Sequence, residues 1–428
     1  MAIERPDNKA KHLLDLLVDY RHQDHNISSF GYNFLDNINP VTGRLHSIYR
    51  TDRAETGRFQ SGDSDNGFFN SQNIPKEKDY RTPFHRKGYT ITTCDLSGAE
   101  VTIMCDKAND RKLYEWAVIN DDAHSPIATA CWRNVYLFRA GMRQGLWTTS
   151  NGFFQLRDNP MIYEVLTNSS DDEVKRLLLL FTTFVIDKKN NKDMRTQFKS
   201  MTFGTVYGMY PKKGGKTLNI PQIEAEVVIT TIKRAIPDTF KYVEGNIEFA
   251  LENGYIHLDD RTNSRVLFPD VIKMLREGGE LTHTQRSAVD GAARNYPIQG
   301  TQASMVKEAM VEIYLYFKHH KIDASIINMV HDELVVRQLP EYDGINGDKT
   351  VTWFSDEAKK AYNPRTSLIQ PLVGLHVGRY INNIIEQGQA KQVSIPEFVK
   401  LTMSECANRY LTHFKMGADV TVADTWTK

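Results

Sequence analysis

The chain predicts an α+β fold, helix-rich, with short strands between the helices and no strict βαβ alternation. Two observations carry that reading. "TQASMVKEAMVEIYLYFKHHK" (301–321) places Val306, Met310, Ile313 and Phe317 on one face at helical spacing. By contrast, "TITTCDLS" (90–97) is β-branched and reads as a strand ending at Asp95, and "INMVHDELVV" (327–336) reads as two strands joined by a charged tip. At 428 residues the chain exceeds one small core, so two or three lobes are expected.

Taken in order, the N-terminal "MAIERPDNKAKHLLDLLVDY" has no apolar signal-peptide core. The strand 90–97 comes next. "SSDDEVKRLLLLFTTFVIDKK" opens with a capping box, Ser170 to Glu173, and reads as a helix. "DMRTQFKSMTFGTVYGM" (193–209) reads as a helix ending near Gly208, and the amphipathic helix 301–321 leads to the charged tip. "LPEYDGINGDK" (339–349) reads as a loop, and Ser394 with Glu397 forms a second capping box before "EFVKLTMSECANRYLTHF".

Composition narrows the class. Hydrophobic residues make up 40% and charged residues 25%, a globular balance. The longest apolar run, "LLLLFTTFVI" (177–186), is far shorter than the ~18–20 residues of a membrane span. The 4 cysteines, Cys94, Cys105, Cys131 and Cys406, show neither CxxC pairing nor zinc spacing, which suggests free thiols in a reducing, cytoplasmic compartment rather than a secreted protein. With 53 basic and 53 acidic residues the net charge is zero, which disfavours a purely electrostatic nucleic-acid binder. It leaves room for a local basic groove, for which "DKKNNKDMR" (187–195) and "YPKKGGK" (210–216) are candidates.

Two constellations carry chemistry. The charges of "VHDELV" lie inside an apolar run, where unpaired carboxylates are costly. Asp95 and Asp332, each at a strand end, are suited to converge on a pair of Mg²⁺ ions. The plain alternative makes each a solvent-facing turn acid, a reading that fits Asp95 better than the apolar-flanked tip. The second constellation is Arg195, Lys199, Phe203 and Tyr207, each four residues after the last. On a helix they share one face over about 18 Å. Cations at one end and rings at the other suit the phosphates, sugar and base of a nucleotide. An amphipathic helix with basic residues outside and aromatics in the core fits the same spacing. Gly204 and Gly208 favour the first reading, because they leave room beside the rings for something flat.

At this point the residues match a known family. The chain resembles the polymerase region of family A DNA polymerases, the group of bacterial DNA polymerase I and its phage relatives. "DLSGAE" (95–100) is similar to motif A, "RTQFKSMTFGTVYG" (195–208) to motif B with every spacing kept, and "VHDELVV" (330–336) to motif C. "INPVTGRLHS" (38–47), "ETGRFQS" (55–61), "SQNIP" (71–75), "NYPIQGT" (295–301) and "VADTW" (422–426) match in order. The resemblance implies a right-hand polymerase with an antiparallel-sheet palm and helical fingers. The palm is expected from 1–110 and 286–428, and the fingers from 111–285.

It also implies roles. Asp95 and Asp332 would hold two Mg²⁺ ions with the backbone carbonyl of Leu96, and Glu333 would be a secondary acid. Glu100 would be the steric gate against a ribose 2′-hydroxyl. Arg195, Lys199 and His124 would hold the incoming triphosphate, with Lys199 protonating the leaving pyrophosphate. Phe203 would pack on the sugar and base, and Tyr207 would stack where the template base waits. Arg58, Gln72, Asn295 and Gln299 would follow the duplex through its minor groove, and His331 would lie near the primer terminus. The partners implied are primer–template DNA and dNTPs.

The chain also departs from the family. Gly98 and Ala99 replace larger motif A residues, Thr102 and Gly291 stand where the family has arginines, and Arg294 is out of phase. Insertions are expected near 139–190 and 338–390. They read as fold elaborations whose apolar faces pack on this chain or on a partner. The chain is expected to begin where the family's thumb ends, with no thumb and no proofreading domain of its own. That leaves a second polypeptide as a possible source of thumb, exonuclease or processivity function. The expected function is DNA-templated DNA synthesis. Two alternatives are a non-catalytic primer–template-binding subunit and a single-subunit RNA polymerase. The intact acids and cations argue against the first, and Glu100 and Phe203 against the second.

Overall fold

The computed structural model describes residues 8–63, 68–362 and 390–426. At its centre is a four-stranded antiparallel sheet of β1 (Thr90–Leu96), β2 (Ala324–Val330), β3 (Glu333–Gln338) and β4 (Ala418–Ala423), in the order β4-β1-β3-β2. The β-branched run of β1 is buried along nearly its whole length, as a central strand requires. Its register places Asp95 between Asp419 of β4 and Glu333 of β3. β2 and β3 are joined by His331 and Asp332 alone. His331 takes φ 57°, a left-handed backbone that a non-glycine residue adopts at a cost.

Two helices, His283–His319 and Ile395–Asn408, cover the sheet, and Ala99–Ala108, which follows β1 directly, packs on the first of them and adds to the same core. The expected helix 301–321 is the C-terminal half of His283–His319. That helix starts at a capping box of Thr282 and Gln285 and carries Pro297 inside it. Val306, Ile313 and Phe317 of the expected face are buried. Ser394 caps the last helix by accepting from Glu397 N, as expected.

Residues 111–282 are mostly helical. His124–Arg143 packs against Asp172–Thr183, Lys192–Val206 and Gln222–Ala235. The cap of Asp172–Thr183 is Asp171, whose carboxylate accepts from Glu173 N, and not Ser170. Asp171 is also paired with Arg143, so a charged acceptor already held in place takes the capping position. The helix stops at Thr183, where Phe184 turns extended, so the apolar run 177–186 is split.

Within the expected first insertion, Trp147, Phe153, Leu166, Val174 and Leu177 are buried in the main core, while Met161 and Leu179 stay exposed. Of the second, 363–389 lie outside the described residues. The described part forms an antiparallel strand pair, Val351–Phe354 with Ala390–Val393, and a helix, Asp356–Tyr362. It is anchored by Arg409, which is 4% exposed and pairs with Asp356, Glu308 and Glu312.

The helix Asn8–Phe30 was not anticipated from the sequence, and Leu13, Leu14, Leu16, Leu17 and Val18 on it are exposed. Among the described residues, no helix is long and apolar enough to cross a membrane.

Candidate active site

The site begins at the end of the sheet. Asp95 is the penultimate residue of β1, and Leu96 N donates to the carbonyl of Asp332 across 3.4 Å. The two acids therefore stand on adjoining backbone, although 237 positions separate them in the chain. Both are half-buried. Cys94, between the sheet and the core, has its thiol pushed up to about 12 by burial and by the neighbouring charges of Asp95 and Asp419, so it stays protonated.

Glu333 is in a different situation. It is 3% exposed, and its carboxylate accepts from Trp426 Nε1 at 3.0 Å and pairs with Arg81 Nη1 at 3.4 Å. The Arg81 guanidinium lies 4.1 Å from the Trp426 ring centroid, and Arg81 Nε donates to the carbonyl of Pro75. Ile74, Ile91, Val330 and Val335 enclose this group. Burial of the pair is tolerable because each charge is matched and hydrogen-bonded. The sequence reading missed Arg81. Trp426 was visible only as part of "VADTW".

A second group joins the three motifs. Tyr207, at the C-terminal end of Lys192–Val206, donates its hydroxyl to Glu100 Oε1 at the start of Ala99–Ala108. Burial and the Glu100 charge raise the Tyr207 phenol well above its ordinary value, so it remains a donor. Burial lowers the Arg58 pKa, while the nearby Glu100, Asp332 and Tyr207 act electrostatically in the other direction, and Arg58 Nη2 donates to Gln302 Oε1 at 2.5 Å. Arg58, Gln72 and His331 line one small pocket with Lys307 and Met329. Burial, then Arg58 and Lys76, lower the His331 pKa and favour its neutral form.

Asn295 and Gln299 lie one turn apart on the long helix, and Asn295 Oδ1 is buried with no hydrogen-bond partner among the described residues. The out-of-phase Arg294 donates to the carbonyl of Val206 at 3.2 Å and so fastens the end of the Lys192–Val206 helix. Gly208 beside it takes φ 90°, which requires glycine. The space at Gly204 is not open to a ligand. A Cβ there would lie 2.1 Å from Met209 Cε, so this glycine accommodates Met209, contrary to the expectation from sequence.

The third group is cationic. His124 starts the helix His124–Arg143 and meets Phe203 edge to face, with centroids 5.5 Å apart. Burial, followed by the Arg195 and Lys199 charges, lowers the His124 pKa to about 4, so the ring is neutral at ordinary pH. His124 Nδ1 is buried without a hydrogen-bond partner among the described residues. Arg195 Nε donates to Asp122 Oδ1 at 3.0 Å, and Lys199 is exposed. Asp122 was not singled out from the sequence. Its signal was an acid three residues before Ser125, a helix-capping pattern. In the expected basic groove, Lys188 is paired with Asp121.

Among the described residues, no group of three or more His, Cys, Asp or Glu side chains gathers as a metal-binding cluster. The donors at the sheet end are two carboxylates and backbone carbonyls. These hard oxygen ligands suit Mg²⁺, which keeps several waters or substrate phosphates rather than filling an all-protein cage.

The profile of DNA polymerase family A matches residues 2–144 and 180–343, more than half of the chain, and the gap between them falls inside the expected first insertion. DNA polymerase I of Caldicellulosiruptor bescii is 24% identical over 329 residues, covering 76% of this chain and 31% of that protein. DNA polymerase I of Pseudomonas aeruginosa is 26% identical over 326 residues, covering 75% and 29%. The thermostable DNA polymerase I of Thermus filiformis is 26% identical over 345 residues, covering 78% and 32%. The chain thus spans roughly a third of the length of the curated relatives it matches. Among solved structures, the POL domain of Pol1 from M. smegmatis, in complex with DNA primer-template and dNTP, shares the fold. Its TM-score is 0.59 at 19% identity, covering 95% of this chain and 52% of that one. With the profile matched over most of its length and the fold shared, the chain belongs to DNA polymerase family A.

Proposed function

We propose that this chain carries out DNA-templated DNA synthesis, adding dNMPs from dNTPs to a primer 3′ end by in-line phosphoryl transfer. The observation that carries the reading is the meeting of the three motifs: Tyr207 donates to Glu100, Leu96 N beside Asp95 donates to the Asp332 carbonyl, and Glu100, Asp332 and Tyr207 all act electrostatically on Arg58. Residues far apart in the chain have no structural need to converge on one partly exposed cation.

In this reading the sheet end is the catalytic end and the helical end holds the nucleotide. Asp95, Asp332 and the Leu96 carbonyl would hold two Mg²⁺ ions, which when bound would activate the primer 3′-oxygen and offset charge on the leaving phosphates. Glu100, fixed by the Tyr207 hydroxyl, forms a wall where a 2′-hydroxyl would sit. Arg195 and Lys199 supply positive charge to the triphosphate, and neutral His124 can donate one hydrogen bond to it. Lys199, the exposed cation, delivers a proton to the departing pyrophosphate while the 3′-hydroxyl gives one up. Phe203 and Tyr207 offer ring faces to the sugar, base and template. Arg58, Gln72, Asn295, Gln299 and His331 line the duplex path. Glu333 supports the tip through Arg81 and Trp426.

In this reading the palm comprises 1–110 and 286–428 and the fingers 111–285, the second boundary falling in the first turn of the long helix His283–His319. The setting is the cytoplasm of a bacterial or phage-infected cell. A second polypeptide that adds grip on the duplex is part of the proposal, supported by the exposed leucines of Asn8–Phe30. Primer extension with dNTPs and then rNTPs tests the central reading. Extension with dNTPs alone is expected. No extension with either would leave the duplex-binding subunit, and preference for rNTPs would indicate an RNA polymerase. Processivity on a long primed template at rising salt tests the partner, because a chain processive alone at moderate salt needs none.

A further inference from the structure

Asp122 lies between two elements that the proposed function uses together. It precedes the helix His124–Arg143, and its Oδ1 accepts from Ser125 N at 3.1 Å while its Oδ2 accepts from Ser125 Oγ at 2.6 Å. The same Oδ1 accepts from Arg195 Nε at 3.0 Å, in the first turn of Lys192–Val206. One carboxylate therefore serves the N-terminus of one helix and the first cation of the other. Its own backbone is restrained, since Asp122 N donates to the carbonyl of Trp116 at 2.8 Å at the end of a π-helical turn, Glu115–Ile119. Such turns are rare and concentrate at functional sites.

The bond to Arg195 has a particular form. It uses Nε, so the two terminal nitrogens of the guanidinium are left to the ligand side. Two turns further on, His124 and Phe203 touch edge to face. Asp122–Arg195 and His124–Phe203 are thus two fixed points between the same two helices, and Lys199 lies between them. Burial tends to raise the Asp122 pKa, but the Ser125 hydrogen bonds and Arg195 outweigh it, so the group is ionised at neutral pH.

We propose that Asp122 is a positioning residue for the triphosphate site: it holds the Arg195 guanidinium by Nε and ties Arg195 to the His124 helix, so that both groups present donors to one ligand. The inference rests on the polymerase reading. An ordinary helix cap would account for the Ser125 contacts. It would not account for the choice of Arg195 as the third donor.

The test is single-nucleotide incorporation by the whole chain on a primer–template, comparing wild type, Asp122→Ala, Asp122→Asn, Arg195→Ala and the double variant Asp122→Ala/Arg195→Ala. Urea unfolding and duplex binding are measured on each. Asp122→Ala should raise KM for the dNTP about tenfold, with kcat changed by less than about threefold and duplex affinity unchanged. Asp122→Asn should recover most of the loss, because an amide oxygen still accepts from Arg195 Nε. In the Arg195→Ala background, Asp122→Ala should add less than about twofold, as expected when one residue acts through the other. An unchanged KM in Asp122→Ala, or effects that multiply independently, overturns the inference. So does loss of the unfolding transition in Asp122→Ala, which would mark a purely structural cap. Wild type that extends but shows none of these effects sinks this inference alone, whereas wild type that extends no primer sinks the polymerase reading and this inference with it.

Discussion

Asp95 stands on a central strand and Asp332 in the tight turn beside it, whereas Arg195 and Lys199 stand on a helix held by side-chain contacts. Around the acids, the register of β1 with β3, the Leu96–Asp332 backbone bond and the buried Glu333–Arg81–Trp426 group fix position through backbone pairing and enclosed interactions. Around the cations, Asp122 with Arg195, His124 with Phe203 and Arg294 with the Val206 carbonyl do the holding, mostly where solvent has some access. Buried pairs cost much to break and exposed ones little. The two ends should therefore fail differently: damage at the sheet end shows in chemistry or in folding, and damage at the helical end shows in nucleotide affinity.

The sharpest test is at the acids. Asp332→Asn and Asp95→Asn should each lower primer extension by at least about a thousandfold, or ~4 kcal/mol in the barrier, while duplex binding stays near wild type. A variant that keeps more than about a tenth of the wild-type rate in Mg²⁺ would remove that residue from the metal-binding role.

Stability gives the next contrast. Arg81→Met leaves Glu333 charged and buried without its cation, and should cost about 3–5 kcal/mol in urea unfolding. Arg195→Met removes a pair that solvent partly reaches and should cost about 0–1 kcal/mol. Equal losses would contradict the difference drawn between the two ends.

Where the ends meet, Glu100→Ala should raise rNTP incorporation relative to dNTP by at least about tenfold, since it removes the carboxylate that Tyr207 holds in place. An unchanged ratio would mean that sugar selection lies elsewhere.

The smallest expected effect is a pH dependence. The His124 pKa is about 4 in the folded chain against an ordinary 6.5, so the unfolded state carries the extra proton between those values. The contribution of His124 to stability should be fully present above pH 6.5 and decline as the pH falls toward 4. Comparing urea midpoints of wild type and His124→Gln from about pH 4.5 to 7.5 isolates this, because other titrating groups cancel in the difference. A difference that does not change with pH would place His124 in a more solvated setting.

Much of this was legible along the chain. The β-branched run ending at Asp95, the apolar strands around His331–Asp332 and the four-residue stripe from Arg195 to Tyr207 are local patterns, and each became the element it predicted. What misled were local signals with more than one physical use. Ser170 had the capping-box spacing, but the neighbouring Asp171, paired with Arg143, took the cap. Gly204 looked like room for a ligand and is filled by Met209 from the next turn. The helix His283–His319 was recognised only in its second half, because Pro297 reads locally as a breaker and tertiary packing carries the helix through it.

The sequence alone determined the residue types and their spacing: two acids at strand ends and a cation–aromatic stripe. These follow from periodicity and side-chain chemistry, which act over a few residues. Only the tertiary structure decided which charges meet. Glu333 turns to Arg81 and Trp426, Tyr207 takes Glu100, and Asp122 takes Arg195. Those partners lie far apart in the chain. Charge pairing is set by distance and burial in the folded state, and neither is written in any local window of sequence.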